Sequence, residues 1–237
     1  SNTYRYFKIT DEFEYKNQGK GYEQFFKNTK KNVFVDLGSN IGEISIYIAK
    51  NFPNTKVISV EGSPNCVKIQ DENIKINKVE NIILENKILN NKNSFEYISN
   101  HWGTENVSSK NYFENSEKIE SITILKLFQK HKVEFIDFLK IDIEGAIPNL
   151  TEDLIYLWKN KKIKYCAMSF EKNSFESYKK IIDVFTDSSN IYEFKPNSTK
   201  KKNINKLELE QKIKDTLFEY QKNNLAYEAL FELKVKD

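Results

Sequence analysis

Short apolar runs recur along this chain, with segments of helical period between them. Val33-Phe34-Val35-Asp36-Leu37, Lys56 to Glu61 (KVISVE), Ile82-Ile83-Leu84, Phe135 to Ile143 (FIDFLKIDI) and Ile163 to Phe170 are the runs. Strands buried on both faces read as near-continuous apolar stretches, which is the pattern of a parallel sheet. Between them, Glu43 to Phe52 carries Ile44, Tyr47, Ile48 and Phe52 on one helical face and stops at Pro53. A second helix opens at Pro64, which suits a first helical turn. Further helical segments are Thr123–His131, Ile147–Trp158, Ser174–Phe185 and the amphipathic Lys206–Lys222. Ile191–Phe194 and Ala229–Val235 alternate more clearly and suit an edge with an antiparallel member. The expected fold is α/β: a doubly wound, mostly parallel seven-stranded sheet with an antiparallel edge strand and helices on both faces.

A chain of 237 residues, 39% of them hydrophobic, buries enough core to be stable without staples. The expected division is an N-terminal helical or lid extension over 1–31 and one α/β domain over 32–237. Tyr22 and Phe25, in GYEQFF, read as core of that extension. No apolar run approaches the ~20 residues of a membrane helix. The two cysteines, Cys66 and Cys166, form no CxxC pair, so neither a structural zinc nor a disulfide framework is expected, and a cytoplasmic location fits. A net charge of +3 falls short of a nucleic-acid footprint. Asn197–Asn205 (NSTKKKNIN) reads as a flexible, solvated loop, and the heavy use of Lys, Asn and Ile as an AT-rich genome. The chain opens Ser1-Asn2-Thr3 and its one methionine is Met168, so it reads as a piece with a start elsewhere. The Lys206–Lys222 helix offers a face on which a homodimer could pair.

Ligands of open α/β sheets bind beyond the carboxyl ends of the strands. After the first strand comes Asp36-Leu37-Gly38-Ser39-Asn40-Ile41-Gly42, a D-x-G-x-N-x-G turn distinct from the dinucleotide fingerprint GxGxxG. Gly38 permits the tight turn and Gly42 a close helix start, with the following N–H groups expected to face a carboxylate or phosphate. The second strand ends in Glu61-Gly62-Ser63-Pro64. An acid about twenty residues after a glycine turn is placed to take both hydroxyls of a ribose. The fourth ends in Lys140-Ile141-Asp142-Ile143-Glu144-Gly145, where two carboxylates at period 2 point to one face. Charge in such a run is costly unless paired, with Lys140 the obvious partner, or functional. His101, beside Trp102 in the polar loop His101–Asn115, is a candidate base, and that loop a candidate acceptor lid. His131 reads as a cap or surface residue.

Taken in order, VFVDLGSNIG, VISVEGSPN and FLKIDIEGA resemble the FkbM-type methyltransferases, S-adenosylmethionine-dependent enzymes of the Rossmann-like class I fold. The resemblance covers about residues 32–150, with weaker support to Phe170. It implies that Asp36, Gly38, Ser39, Asn40 and Gly42 shape the methionine end of the cofactor site. Glu61, with Gly62 and Ser63, would hold the ribose, and Asn86 and Lys87 would approach the adenine. Asp142 and Glu144 fall on the family's KxDxEG motif near the transfer site, and Ser169-Phe170-Glu171 on a fifth strand ending in glutamate. Two positions depart from the pattern: Ile147, where a second glutamate is usual, and Asn173, where a histidine is common. The implied activity is O-methylation of a small-molecule or glycan acceptor, such as a sugar of a bacterial capsule or surface glycan, or of a secondary metabolite. Asp142 is the preferred base, then His101, with Glu144 and Glu171 as further candidates; no metal ligand set is expected. A non-catalytic cofactor-binding module is the alternative. A nucleic-acid methyltransferase is disfavoured, because DIEG stands where an amino-methylating enzyme carries [DN]PP[YF].

Overall fold

In the computed structural model, residues 19–98, 107–108, 116–195, 197–223 and 226–234 are described. The first half alternates as the apolar runs require: β1 (Asn32–Leu37), α1 (Glu43–Asn51), β2 (Thr55–Glu61), α2 (Pro64–Asn77) and β3 (Ile82–Asn86). Four short strands follow or flank the loop region: β4 (Ile88–Leu89), β5 (Phe95–Ile98), β6 (Val107–Ser108) and β7 (Glu117–Ile122). The second half comprises α3 (Ile124–His131), β8 (Ile136–Ile141), α4 (Thr151–Lys159), β9 (Ile163–Phe170), α5 (Phe175–Asp187), β10 (Ser189–Glu193), β11 (Lys202–Ile204), α6 (Lys206–Asn223) and β12 (Tyr227–Leu233).

Eight strands form the main sheet in the order β11-β10-β12-β9-β8-β1-β2-β3. From β3 through β9 neighbours run parallel, and β12 is antiparallel to both β9 and β10. The expected sheet had seven strands; the eighth is Lys202–Ile204, inside the segment read as a solvated loop. Ile204 is buried there, and the Lys201 ammonium stands 4.7 Å over the Tyr192 ring and 5.0 Å over the Phe25 ring. A cation over an aromatic face anchors a lysine that composition alone assigns to solvent. The expected antiparallel edge is present, since β11 closes the sheet antiparallel to β10; β12, also antiparallel, lies two strands further in and begins at Tyr227, earlier than expected.

Strand alternation sorts the core into two layers. Val35, Leu37, Ile58, Val60, Leu139, Ile141 and Met168 face one cluster, together with apolar residues of α3, α4, α5 and α6. Trp158 stacks on Phe185 there, with ring centroids 4.1 Å apart, and its indole N–H donates to Ser188 Oγ at 3.0 Å. Phe34, Val57, Phe138, Ala167 and Leu230 face the other layer, under α1 and the 3-10 turn Lys20–Phe25. Tyr22 and Phe25 are core residues in an aromatic cluster with Phe138 and Phe194. A separate small sheet, β4-β7-β5-β6, stands beyond the end of β3.

Candidate active site

The turn after β1 interlocks with the end of β8. Gly38 has φ +79, and a Cβ there would stand 1.8 Å from the Asp142 carbonyl oxygen. Asp142 N–H donates to the Leu37 carbonyl at 2.9 Å, so the missing side chain of Gly38 lets the two strand ends touch. Asn40 and Gly42 also take positive φ, a conformation asparagine tolerates and glycine prefers. The N–H groups within the turn are engaged by the protein itself, one of them by a carboxylate. Gly38 and Ser39 donate to the Val60 carbonyl, Gly42 to the Ser39 carbonyl, and Asn40 to Glu61 Oε2 at 2.8 Å. The turn spends its donors on holding itself to β2.

Asp36 lies beneath the turn, 1% exposed. It accepts from Lys140 Nζ at 2.9 Å and from Ser45 Oγ at 2.7 Å. Lys140 also donates to the Gly38 carbonyl at 3.1 Å. Burial opposes the lysine charge, but Asp36 and then Asp142 outweigh it and hold the ammonium above its ordinary range. Lys140, weighed from sequence as partner of Asp142 or Glu144, is thus given to Asp36, and stands 3.7 Å from Asp142. Ser39 is buried, its hydroxyl donating to Gln70 Oε1 at 3.0 Å.

Glu61 stands at the mouth of a cleft whose wall includes Gly38, Asn40, Gly62 and Lys87. Glu61 Oε1 accepts from Ser63 N–H and Oε2 from Asn40 N–H, both at 2.8 Å. Val60, Ile88, Leu89 and Ile98 give the cleft an apolar slot, the last three from the small sheet. Asn86 turns its amide to the Glu61 and Gly62 carbonyls, each at 3.0 Å, and so braces the backbone under the cleft. Lys87 lines the cleft and pairs with Glu120. Ser63 is the N-cap of α2, its Oγ accepting from Cys66 N–H at 3.4 Å. A carboxylate acceptor beside an apolar slot is a combination compatible with a nucleoside, so the residues present fit S-adenosylmethionine.

The methyltransferase FkbM domain matches residues 36–187, more than half of the chain. The chain belongs to the FkbM methyltransferase family. It is therefore an S-adenosylmethionine-dependent methyltransferase. Among solved structures it is similar to the precorrin-6y C5,15-methyltransferase of Geobacter metallireducens GS-15 (10% identity, TM-score 0.43, covering 86% of this chain and 81% of that one). It is also similar to a SAM-dependent O-methyltransferase of Thermotoga maritima (10%, 0.43, 88% and 62%). A third is a Streptococcus mutans protein assigned as a methyltransferase and held in complex with SAH (8%, 0.46, 86% and 90%). At such identity these likenesses say nothing of the acceptor. No curated protein matches the chain.

In this FkbM chain β8 ends at Ile141, so the period-2 argument that pairs Asp142 with Glu144 on one strand face does not apply. Asp142 leads a turn in which Glu144 takes φ +51 and Gly145 φ +85. Glu144 lines the cleft but is ion-paired with Lys172. Glu171 lies behind this turn, 5% exposed, with Oε1 meeting no hydrogen-bond partner among the described residues. Burial, then Glu144 and Asp142, push its carboxyl up to about 7 against the pull of Lys172 and the Gly145 N–H. The two family departures serve structure: Ile147 is fully buried core, and the Asn173 amide donates to the Gly145 carbonyl, tying the turn to the end of β9. His131 is tied to Glu85, 2.6 Å from Nε2 to Oε1, away from the cleft. His101 lies outside the described residues, and of the expected lid only Val107–Ser108 is described, as β6 paired with β5.

Asp142 also lines a second cavity, on the β10–β12 side, with Lys140, Glu193, Tyr227 and Glu228. The sequence reading missed Tyr227 and Glu228 because it examined only residues following strands. β12 runs antiparallel, so its first residues reach the ligand edge: Tyr227 pairs with Phe170 and Glu228 with Ser169. The available signal was the alternation of acids and apolar residues in YEALFEL, with Glu228 and Glu232 flanking Leu230.

Proposed function

We propose that the protein is an O-methyltransferase that transfers the methyl group of S-adenosylmethionine to a hydroxyl, or a phosphoryl-type oxygen, of a small polar acceptor. A sugar of a bacterial surface glycan or a secondary metabolite is the acceptor class the family resemblance favours. The observation that carries this reading is the position of Asp142. Its side chain, 42% exposed, borders both the nucleoside-like cleft and the second cavity.

The bound cofactor supplies a methyl group already activated on a sulfonium sulfur. Glu61 takes the ribose hydroxyls, the slot of Val60, Ile88, Leu89 and Ile98 takes the adenine, and Gly38 and Asn40 border the methionine end. The interlocked turns after β1 and β8 fix that end relative to Asp142. Alignment of this kind contributes about 7–11 kcal/mol to methyl transfer. Asp142 would accept the proton of the acceptor hydroxyl as that oxygen takes the methyl group the cofactor would supply, the sulfonium sulfur keeping the bonding pair. A positioned base adds typically about 10²–10⁴-fold.

The test is Asp142→Asn. Turnover is expected to fall by about 10²–10⁴-fold while the S-adenosylmethionine Kd, measured by calorimetry, changes little. Turnover at the wild-type rate would remove Asp142 from the role of base.

A further inference from the structure

The second cavity is lined in part by Tyr227 and Glu228, and the Tyr227 hydroxyl and Glu228 Oε2 are buried atoms that meet no hydrogen-bond partner among the described residues. Buried polar groups are paired in nearly all folded proteins, and an orphan destabilises the fold unless something completes it. Two neighbouring residues of one cavity wall, each with an unpartnered polar atom and both at the ligand edge of the sheet, are the observation from which a polar ligand is inferred.

The charges around the cavity define that ligand. Lys140, the buried cation of the wall, is committed to Asp36 at 2.9 Å and to the Gly38 carbonyl at 3.1 Å. Glu193 is paired with Lys212 at 3.3 Å, and the Lys212 ammonium stands 5.7 Å from the Tyr227 ring centroid. Lys195 is exposed at the rim. The Glu228 carboxyl and Asp142 therefore face the space with one buried cation between them, Lys140, which is 3.7 Å from Asp142 and already hydrogen-bonded to Asp36. A phosphate or carboxylate entering there meets like charge and brings no hydrogen to donate. A hydroxyl donates to a carboxylate, and hydrogen bonds to an ionised group are the stronger kind.

We propose that this cavity is the acceptor subsite and that it selects an uncharged polyol, with Glu228 and Tyr227 binding the acceptor's hydroxyls and holding one of them beside Asp142. This inference rests on the O-methyltransferase reading above and narrows its acceptor from any oxygen nucleophile to a neutral sugar-like hydroxyl. The groups facing Glu228 are Lys140 and Asp142 from β8 and the turn after it, Ser169 across β9, Glu193 and Lys195 from β10 and its end, and Tyr22 from the N-terminal turn. Burial, then Asp142, push the Glu228 carboxyl up to about 7, with Lys140 acting the other way. Near neutral pH it exchanges between a form that accepts and one that also donates, which suits hydroxyl partners.

The experiment compares wild type, Glu228→Gln and Glu228→Leu with labelled S-adenosylmethionine and two probe sets, methyl glycosides of neutral hexoses and the corresponding 6-phosphates. Expected is transfer by the wild type to the neutral set, with kcat/KM lower by about 10–100-fold in Glu228→Gln and further in Glu228→Leu. The S-adenosylmethionine Kd stays unchanged, and Tm stays level or rises in both variants because an unpaired buried carboxyl has been removed. Unchanged kcat/KM in both variants, or preference for the phosphorylated probes, overturns the subsite and leaves the O-methyltransferase reading intact. A Tm that falls in both variants marks Glu228 as a structural carboxyl and likewise overturns it. A wild type that binds S-adenosylmethionine but methylates neither set overturns the neutral-sugar subsite, whereas a wild type that binds no S-adenosylmethionine overturns the O-methyltransferase reading.

Discussion

Glu171 and Glu228 are carboxyls that the fold holds under strain, one on each side of Asp142. Each is pushed up to about 7, first by burial and with a contribution from Asp142. A group that binds its proton more tightly folded than unfolded contributes stability at low pH and loses it as pH rises. For Glu171 that window runs from its ordinary value of 4.5 to about 7. Glu171→Gln removes the titration and keeps an oxygen for the Gly145 N–H. Its Tm should match the wild type near pH 4.5, exceed it at pH 8, and show a shallower decline between, the remaining slope belonging to Glu228. Thermal unfolding of both proteins across that range checks this, and parallel curves would show that Glu171 titrates normally. The importance of Glu171 was legible as the end of a fifth strand. Its burial was not, because that depends on the Gly145 turn, which the Asn173 amide ties down from the far side.

The turns and strands differ in how much of them sequence spacing could place. The strands β1, β2, β3, β8 and β9 follow directly from apolar runs, since a strand buried on both faces needs no partner to be recognised. The N-terminal turn is different. Lys20–Phe25 is too short to be stable alone, and it is held by an aromatic cluster: Phe25 lies 4.7 Å from the Tyr165 ring centroid and 4.9 Å from that of Phe138. Tyr22, 1% exposed, packs edge-on to Phe138 at 5.2 Å. We propose that this turn is an integral part of the sheet's core and that any separate N-terminal unit precedes it. Phe25→Ala should lower the unfolding free energy by about 3–5 kcal/mol, the range for emptying a buried aromatic site. Urea denaturation checks it, and a loss below 1 kcal/mol would mean that the turn is an appendage. β11 escaped notice for a related reason: its lysines form no apolar run, and it is recognised by its pairing with β10 and the buried Ile204, next to Lys201 over the Tyr192 and Phe25 rings.

At the level of the molecule, the cleft proposed for the cofactor is assembled from the ends of β1, β2, β3 and β8 and the small sheet, so binding there should stabilise the whole fold. S-adenosylmethionine at about 100 times Kd adds ~2.7 kcal/mol. For a chain of this size each kcal/mol raises Tm by roughly 2–4 °C. Glu61→Ala should abolish the ligand-dependent rise. Its own Tm should also fall, because Asn40 and Ser63 lose their shared acceptor. A rise that survives the substitution would detach Glu61 from the cofactor.

Local spacing carried the glycine turn, the acid at the end of β2, the KIDIEG segment and the succession of strands and helices, because each is encoded within one or two neighbouring elements. Chain direction and long-range partnership lie beyond such spacing. Lys140 hydrogen-bonds Asp36, 104 residues away, at 2.9 Å, and makes only a longer ion pair, 3.7 Å, with the adjacent Asp142. The Asn86 amide turns to the β2 backbone rather than into the cleft. Glu228 reaches the ligand edge only because β12 runs against β9, which brings the start of a strand where the parallel strands bring their ends. A sequence pattern records which faces of a strand are apolar, and that pattern reads the same in either direction; the packing of distant strands against one another settles the direction, and with it which side chains meet the ligand.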